Sequence, residues 1–71
     1  MSQWPSTKAR LVYKALLKIG WTYLRQVGSH KKLSHPNFAH NYTWSFGDSD
    51  ELGPAILARI AKKTGLKPSD L

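Results

Sequence analysis

The sequence predicts an α+β domain in which a helix, three antiparallel strands and a second helix follow one another, with both helices on one face of the sheet. Two segments with helical spacing of apolar residues flank a central region, and the clearest strand of that region alternates aromatic with polar residues. The 71 residues are enough for one small core. We therefore interpret residues 1–71 as a single domain, with a core at about residues 7–64 and a short terminal turn at 65–71.

The first helix is predicted from about Thr7 to Ile19. Ser6 precedes it as a suitable N-cap, and Gly20 follows it as a suitable C-terminal cap. The apolar residues at helical spacing, which should face the core, are Ala9, Val12, Leu16 and Ile19. The basic residues of the opposite side are Lys8, Arg10, Lys14 and Lys18. That side is either an ordinary solvated face or part of a basic binding surface.

The first two strands are predicted from local composition and from the residues that interrupt it. β-Branched and aromatic residues are frequent from Trp21 to Val27, which favours a strand, and Gly28-Ser29 ends the run as a turn. A second, polar strand is predicted from about Ser29 to His35 and ends at Pro36-Asn37. The turn between these two strands places a reactive side chain directly after a backbone bend.

The third strand has the clearest pattern of the three. Its aromatic residues are His40, Tyr42, Trp44 and Phe46, and they alternate with Asn41, Thr43 and Ser45. We expect the aromatic face to pack beneath the helices, because a domain this small needs that bulk in its core. The alternative is that this face stacks the bases of a nucleic acid.

The second helix is predicted to open at Gly53-Pro54, with proline in its first turn, and to continue up to Gly65. The residues of its inward stripe are Ile56, Leu57, Ile60 and Ala61. Pro68 then opens a short terminal turn over Leu66 to Leu71. No internal repeat or linker divides the chain between these elements.

Charge is distributed unevenly along the chain. Eleven Lys and Arg residues against four Asp and Glu residues give a net charge of +7 and an isoelectric point near 10.1. Asp48, Asp50 and Glu51 lie just ahead of the second helix, where the helix dipole favours negative charge. A catalytic carboxylate cluster is the alternative interpretation of these three residues. The excess of basic residues favours a nucleic acid as the binding partner.

Cysteine and long apolar segments are both missing from the sequence. Without cysteine, neither a disulfide framework nor a thiolate zinc site can hold the fold, so oxidative folding outside the cell is not required. No apolar run approaches the ~20 residues that span a bilayer, and no signal-peptide pattern opens the chain. We expect a soluble cytoplasmic protein with no membrane partner.

The segment Arg25-Gln26-Val27-Gly28-Ser29-His30 carries the strongest candidate chemistry. An imidazole can take up and release a proton near neutral pH, and here it follows a glycine that sets a backbone bend. Lys31 and Lys32 come next, so a proton-transfer group stands in a setting that attracts polyanions. Taken alone, this segment also fits an exposed histidine without chemical function.

Four segments at characteristic positions carry a family resemblance. They are Gly20-Trp21, Arg25-Gln26-Val27-Gly28-Ser29-His30, Glu51-Leu52-Gly53-Pro54 and Ala61-Lys62-Lys63-Thr64-Gly65-Leu66. In this order and spacing they resemble the HicA-type mRNA interferase toxins of bacterial toxin–antitoxin pairs, from about Thr7 to Leu71. The resemblance implies a fold like that of double-stranded-RNA-binding domains. It also implies a ribonuclease that cleaves mRNA, inhibits translation and is neutralised by a HicB-type antitoxin bound over its active site.

The same resemblance implies that His30 is the catalytic residue, and RNA chemistry is consistent with this role. Without a metal, cleavage can use the ribose 2′-OH as the nucleophile, which requires a proton acceptor, a proton donor and positive charge near the phosphate. The predicted RNA-binding groups are the side chains of Arg25, Lys31, Lys32 and Ser29 and the backbone N–H of Gly28. His30 could act as the base or the acid, and the second proton-transfer group is not identified. We expect neither a metal nor another cofactor, and no DNA partner for the toxin alone.

One position departs from the family pattern. Many members carry a histidine after the third strand, just ahead of the acidic run, where this chain has Gly47. If that histidine contributes to proton transfer in the family, this protein should be slow or inactive. A non-catalytic RNA-binding module of the same fold is therefore the alternative function, and a basic surface that holds an acidic protein partner is a third.

A metal site built from His30, His35 and His40 is the remaining alternative. The spacing of five residues places successive histidines on opposite faces of an extended strand. No cysteine or neighbouring carboxylate completes a ligand set, so the sequence argues against zinc.

Overall fold

The computed structural model describes residues 4–71. A short strand β1 (Thr7–Lys8) leads directly into helix α1 (Ala9–Lys18). Strands β2 (Thr22–Val27), β3 (His30–Ser34) and β4 (Tyr42–Trp44) follow. Next come a short strand β5 (Glu51–Leu52), helix α2 (Pro54–Thr64) and a 3₁₀ turn (Pro68–Asp70). The predicted α+β order of a helix, three antiparallel strands and a helix is therefore confirmed.

β2, β3 and β4 form one antiparallel sheet, and β3 is its central strand. The ladder between β2 and β3 shifts register between Tyr23 and Arg25, so that Leu24 forms a β-bulge. All six residues of β2 are exposed. β2 is thus an edge strand, and its only ladder in the sheet is with β3.

The sheet strands are shorter than the sequence predicted. The alternating segment from His40 to Phe46 contributes only Tyr42–Trp44 to the sheet. β3 lacks both predicted ends, because Ser29 belongs to the turn and His35 lies beyond the last pair of the ladder. The alternation itself persists outside the ladder, since Phe46 still packs against the core.

α1 begins two residues later than predicted. Thr7 and Lys8 pair with Leu52 and Glu51 as the ladder β1–β5, so their backbone is extended. The prediction of Ser6 as the N-cap is wrong, because the N-cap is Lys8 and no side chain caps the helix. The C-terminal prediction agrees better: Gly20 follows the last turn with φ of 111°, in the left-handed region that favours glycine.

Backbone carbonyls of the acidic segment cap α1 in place of a side chain. The N–H of Ala9 donates to the carbonyl of Asp50 at 2.8 Å, and the N–H of Arg10 faces the carbonyl of Asp48 at 3.3 Å. These first N–H groups have no partner within the helix. The segment that precedes α2 in sequence therefore contacts the start of α1, and the first turn of α2 contains no acid.

α2 has the bounds that the sequence predicted. Pro54 occupies its first turn, and Gly65 caps its end with φ of 77°. A Cβ at Gly65 would also lie 3.3 Å from the Phe38 ring. Both the backbone conformation and the space at this position therefore favour glycine. Within residues 4–71, no helix combines the length and the apolar character needed to cross a membrane.

The core lies between the two helices and one face of the sheet. Its largest fully buried side chains are Val12, Leu16, Trp21, Leu33, Leu52, Leu57 and Ile60, together with Thr64. Trp44 is also buried, and Tyr42 and Phe46 pack beside it, which confirms that the aromatic face lies beneath the helices. Trp21 links the elements further, because its Nε1 donates to the carbonyl of Thr64 at 3.0 Å.

Candidate functional site

The turn that precedes His30 is a two-residue hairpin loop. Val27 pairs with His30, which leaves Gly28 and Ser29 between the strands. Gly28 has φ of 62°, and no residue other than glycine in residues 4–71 has a positive φ. This is the pattern of a type II′ turn, which requires glycine at its first position. Gln26 braces the turn, since its Nε2 donates to the carbonyl of Gly28 at 2.9 Å.

The register of the sheet decides which face carries His30. Arg25 pairs with Lys32, and Lys32 pairs in turn with Thr43 on β4. Directly paired residues share a face, and alternate residues along a strand share it too. His30 therefore lies on the same face as Lys32. This is the face opposite to Leu33, which is buried in the core, and we call it the open face.

Lys31 lies on the other side of the sheet. It pairs with Trp44, which is buried beneath the helices. Its Nζ is 4.7 Å from the centre of the Tyr13 ring on α1, a cation–π contact. The predicted set of His30, Lys31 and Lys32 is thus divided between the two faces of β3, and only Lys32 accompanies His30.

The open face holds two like charges directly opposite each other. Arg25 and Lys32 are cross-strand partners, and such pairs destabilise a sheet unless an anion compensates them. The first carboxylate in the sequence is Asp48. Lys32 Nζ instead donates to Thr43 Oγ1 at 2.8 Å, which draws its ammonium group toward β4. The arrangement favours an anionic ligand.

His30 is accessible to such a ligand. The residue is exposed at the start of β3, next to Ser29 of the turn. Among residues 4–71, its ring makes no hydrogen bond and no ion pair. A general base or acid must come within hydrogen-bond distance of the proton that it transfers, and both ring nitrogens of His30 are free to do so.

The other two histidines serve structural contacts. His35 Nδ1 accepts a hydrogen bond from the Asn37 N–H at 3.0 Å, so its Nε2 carries the proton that faces the Ile19 carbonyl at 2.9 Å. His40 Nε2 is 3.1 Å from the carbonyl of Lys63. Within residues 4–71, no three potential ligand side chains form a group that could hold a metal ion.

Glu51 and Asp50 form contacts beside the start of α1 and in the loop between β4 and β5. Glu51 forms an ion pair with Lys8 at 3.3 Å. Asp50 Oδ2 accepts a hydrogen bond from the N–H of Gly47 at 2.9 Å. Gly47, where the resemblance led us to expect a histidine, therefore has its backbone N–H bonded to a carboxylate. A Cβ at Gly47 would lie 3.6 Å from Asp50 Oδ2, which is ordinary contact.

Two supporting residues were missed in the sequence. Gln26 holds the turn through a hydrogen bond to a residue two positions along the chain, whereas Thr43 holds Lys32 through a contact that depends on the register of β3 and β4. For Thr43 a signal existed, because it belongs to the polar face of the alternating segment. For Gln26 we find none.

Comparison with known proteins agrees with the geometry. A family model described as HicA toxin of bacterial toxin–antitoxin systems matches residues 9–66. That range contains both helices, all three strands of the sheet and the open-face residues Arg25, His30, Lys32 and Thr43. No curated protein and no solved structure gives a significant match. The family match spans most of the chain, and the chain therefore belongs to the HicA toxin family of bacterial toxin–antitoxin systems.

Proposed function

We propose that this protein is an mRNA interferase, an endoribonuclease that cleaves mRNA without a metal and thereby inhibits translation. The observation that carries the proposal is the Arg25–Lys32 pair, which presents two uncompensated cations on the face that also holds His30. RNA supplies the phosphates that such a pair favours. Membership of the HicA toxin family supports the same conclusion.

His30 is the catalytic residue in this proposal. The ribose 2′-OH attacks the adjacent phosphorus, the bond to the 5′-oxygen breaks, and a 2′,3′-cyclic phosphate and a 5′-hydroxyl result. His30 accepts the proton of the 2′-OH or returns one to the leaving oxygen. Arg25 and Lys32 stabilise the charge that develops on the phosphate, so the step requires no metal.

The remaining predicted groups take lesser roles. Ser29 and the Gly28 N–H lie in the turn beside His30 and are available to position the phosphate. Lys31 faces α1 and contacts Tyr13. It therefore adds to the positive electrostatic potential that attracts RNA, but it does not contact the phosphate beside His30. DNA lacks the 2′-OH and is therefore not cleaved.

The family implies a cognate antitoxin as partner. We propose that a HicB-type antitoxin neutralises the toxin by covering the open face, and that carboxylates of the antitoxin compensate Arg25 and Lys32. Both partners then act in the cytoplasm, where mRNA is available.

A non-catalytic RNA-binding module is the second candidate, and Gly47 is the observation that favours it. The backbone N–H there bonds to Asp50, and no imidazole stands at that position. Such a module would bind RNA by the same cations but would lack the second proton-transfer group.

One experiment separates the two functions. The protein and a His30→Ala variant are incubated with long RNA in EDTA, and circular dichroism confirms that both are folded. We expect the native protein to cut and the variant to bind without cutting, with partial rescue by added imidazole. A substrate with one 2′-deoxyribose at the cleavage position should resist the native protein. Binding by both proteins without cleavage would establish the non-catalytic module.

A further inference from the structure

A polar cleft lies at the edge of β4 that faces the end of α2. Its volume is about 440 Å³, in the size range of small-ligand sites. The lining residues are His40, Asn41, Tyr42, Thr43, Lys62 and Lys63. We call it the β4–α2 cleft. Neither the family match nor the proposed reaction assigns it a function.

The cleft is continuous with the open face. Thr43 lines the cleft and also accepts the hydrogen bond from Lys32. Arg25, Lys32 and Thr43 are paired across three neighbouring strands, so they form a row that runs about 10 Å across the sheet. The β4–α2 cleft begins where this row ends, and a ligand that follows the row from Arg25 enters the cleft.

Lys62 and Lys63 supply uncompensated positive charge there. Both side chains are exposed, and within residues 4–71 neither forms an ion pair. Asn41 adds an amide and Thr43 a hydroxyl, groups that hydrogen-bond to ribose and to base edges. The Tyr42 phenol is a further neutral group at pH 7, and burial raises its pKa further above the ordinary 10.0. Cations combined with neutral donors and acceptors suit a nucleotide.

Lysines in the last turn of a helix also interact favourably with the helix dipole. That role is partly filled by other groups in this helix. Trp21 Nε1 donates to the carbonyl of Thr64, and His40 Nε2 lies 3.1 Å from the carbonyl of Lys63. These terminal carbonyls already have hydrogen-bond donors. The helix dipole therefore explains only part of the reason for two lysines, Lys62 and Lys63, beside the cleft.

We propose that the β4–α2 cleft binds the nucleotides that flank the cleaved phosphate, so that single-stranded RNA crosses the sheet from His30 to Lys62 and Lys63. The assignment of the cleaved phosphate to His30 rests on the proposed function, whereas binding in the cleft does not. The bound RNA strand would cover both the row and the cleft. Its site would then be about 4 nucleotides long, which is the size of the shortest known sites for single strands.

The test measures affinity for 2′-O-methyl oligoribonucleotides, which cannot be cleaved, as a function of length and salt. The cleft variant carries Lys62→Ala and Lys63→Ala. The control variant carries Lys14→Ala and Lys18→Ala, which remove the same charge from exposed positions of α1. Circular dichroism verifies that all three proteins are folded.

We expect the cleft variant to lose roughly tenfold in affinity for an oligonucleotide long enough to reach the cleft, and much less for a dinucleotide. Its salt slope should fall by about 1.4, the value for two phosphate contacts on a single strand. The control variant should show a smaller loss that does not grow with length. Equal losses in both variants, or a loss independent of length, would overturn the proposal.

Cleavage by the native protein is measured separately. If long RNA remains intact but the length-dependent loss is present, the proposed reaction fails and the cleft assignment stands. If His30-dependent cleavage is present but the length-dependent loss is absent, the reaction stands and the cleft assignment fails.

Discussion

Replacing Arg25 by glutamine should stabilise the fold while it weakens RNA binding. Arg25 lies directly opposite Lys32, and within residues 4–71 no carboxylate forms an ion pair with either cation. Two unit charges ~7 Å apart repel by about 0.6 kcal/mol in water, which lies within the range measured for cross-strand pairs. For a domain of this size that energy raises Tm by about 2–5 °C. Arg25→Lys retains the charge and should leave Tm unchanged.

The assay is thermal unfolding of the native protein and both variants at low salt and at 1 M salt. Screening shortens the Debye length to about 3 Å at 1 M, so the stabilisation by Arg25→Gln should largely disappear there. RNA affinity should fall in parallel, with a salt slope reduced by about 0.7 for one lost phosphate contact. A gain in Tm that persists at high salt, or a gain of equal size in Arg25→Lys, would refute the reasoning from charge repulsion.

The further predictions concern three positions. Gly28→Ala should cost about 1–2 kcal/mol of unfolding free energy, because its φ of 62° is in the left-handed region. Gly47→Ala, with ordinary contacts at 3.6 Å and no positive φ, should cost little in the same denaturant titration. Gly47→His should raise the rate of RNA cleavage, by roughly 10²-fold if the new imidazole acts as the second proton-transfer group; no gain over Gly47→Ala in single-turnover assays would exclude that role. Above the ordinary tyrosine pKa of 10.0, the free energy of unfolding should fall as pH rises. Burial raises the pKa of Tyr42 in the folded state, so the unfolded chain loses its proton first, and Tyr42→Phe should remove this part of the pH dependence.

Local patterns in the sequence predicted most of the fold. The helical spacing of apolar residues and the terminal Gly65 located α2 with its observed bounds. The alternation of aromatic and polar residues identified Trp44 as a core residue. These signals depend on neighbours within a few positions along the chain, and a single sequence contains them in full.

Long-range pairing accounts for the misplaced boundary. Ser6 and Thr7 look like a helix start, but Thr7 pairs with Leu52, a residue that local patterns do not connect with it. The carbonyls of Asp48 and Asp50 then cap α1, so a side-chain cap is not needed.

The composition of the candidate site was predicted only partly. His30, Arg25 and Lys32 share the open face, whereas Lys31, which the chemistry of phosphate binding placed with them, belongs to the opposite face. Adjacent residues of a strand point to opposite sides, so Lys31 and Lys32 cannot both lie on the face of His30. Leu33 decides which of the two lies on the open face, because its burial fixes which face of β3 packs against the helices.

The hairpin that carries His30 has a consequence for the order of folding. Its contacts join residues close in sequence, such as Arg25 and Lys32, whereas the ladder β1–β5 joins Thr7 to Leu52. Closing the longer loop costs about 1.6 kcal/mol more in chain entropy. A hairpin forms within roughly 1–10 μs, and it needs neither end of the chain. During synthesis, the hairpin that places Arg25, His30 and Lys32 on the open face can therefore form before residues 51 and 52 emerge to pair with the segment that leads into α1.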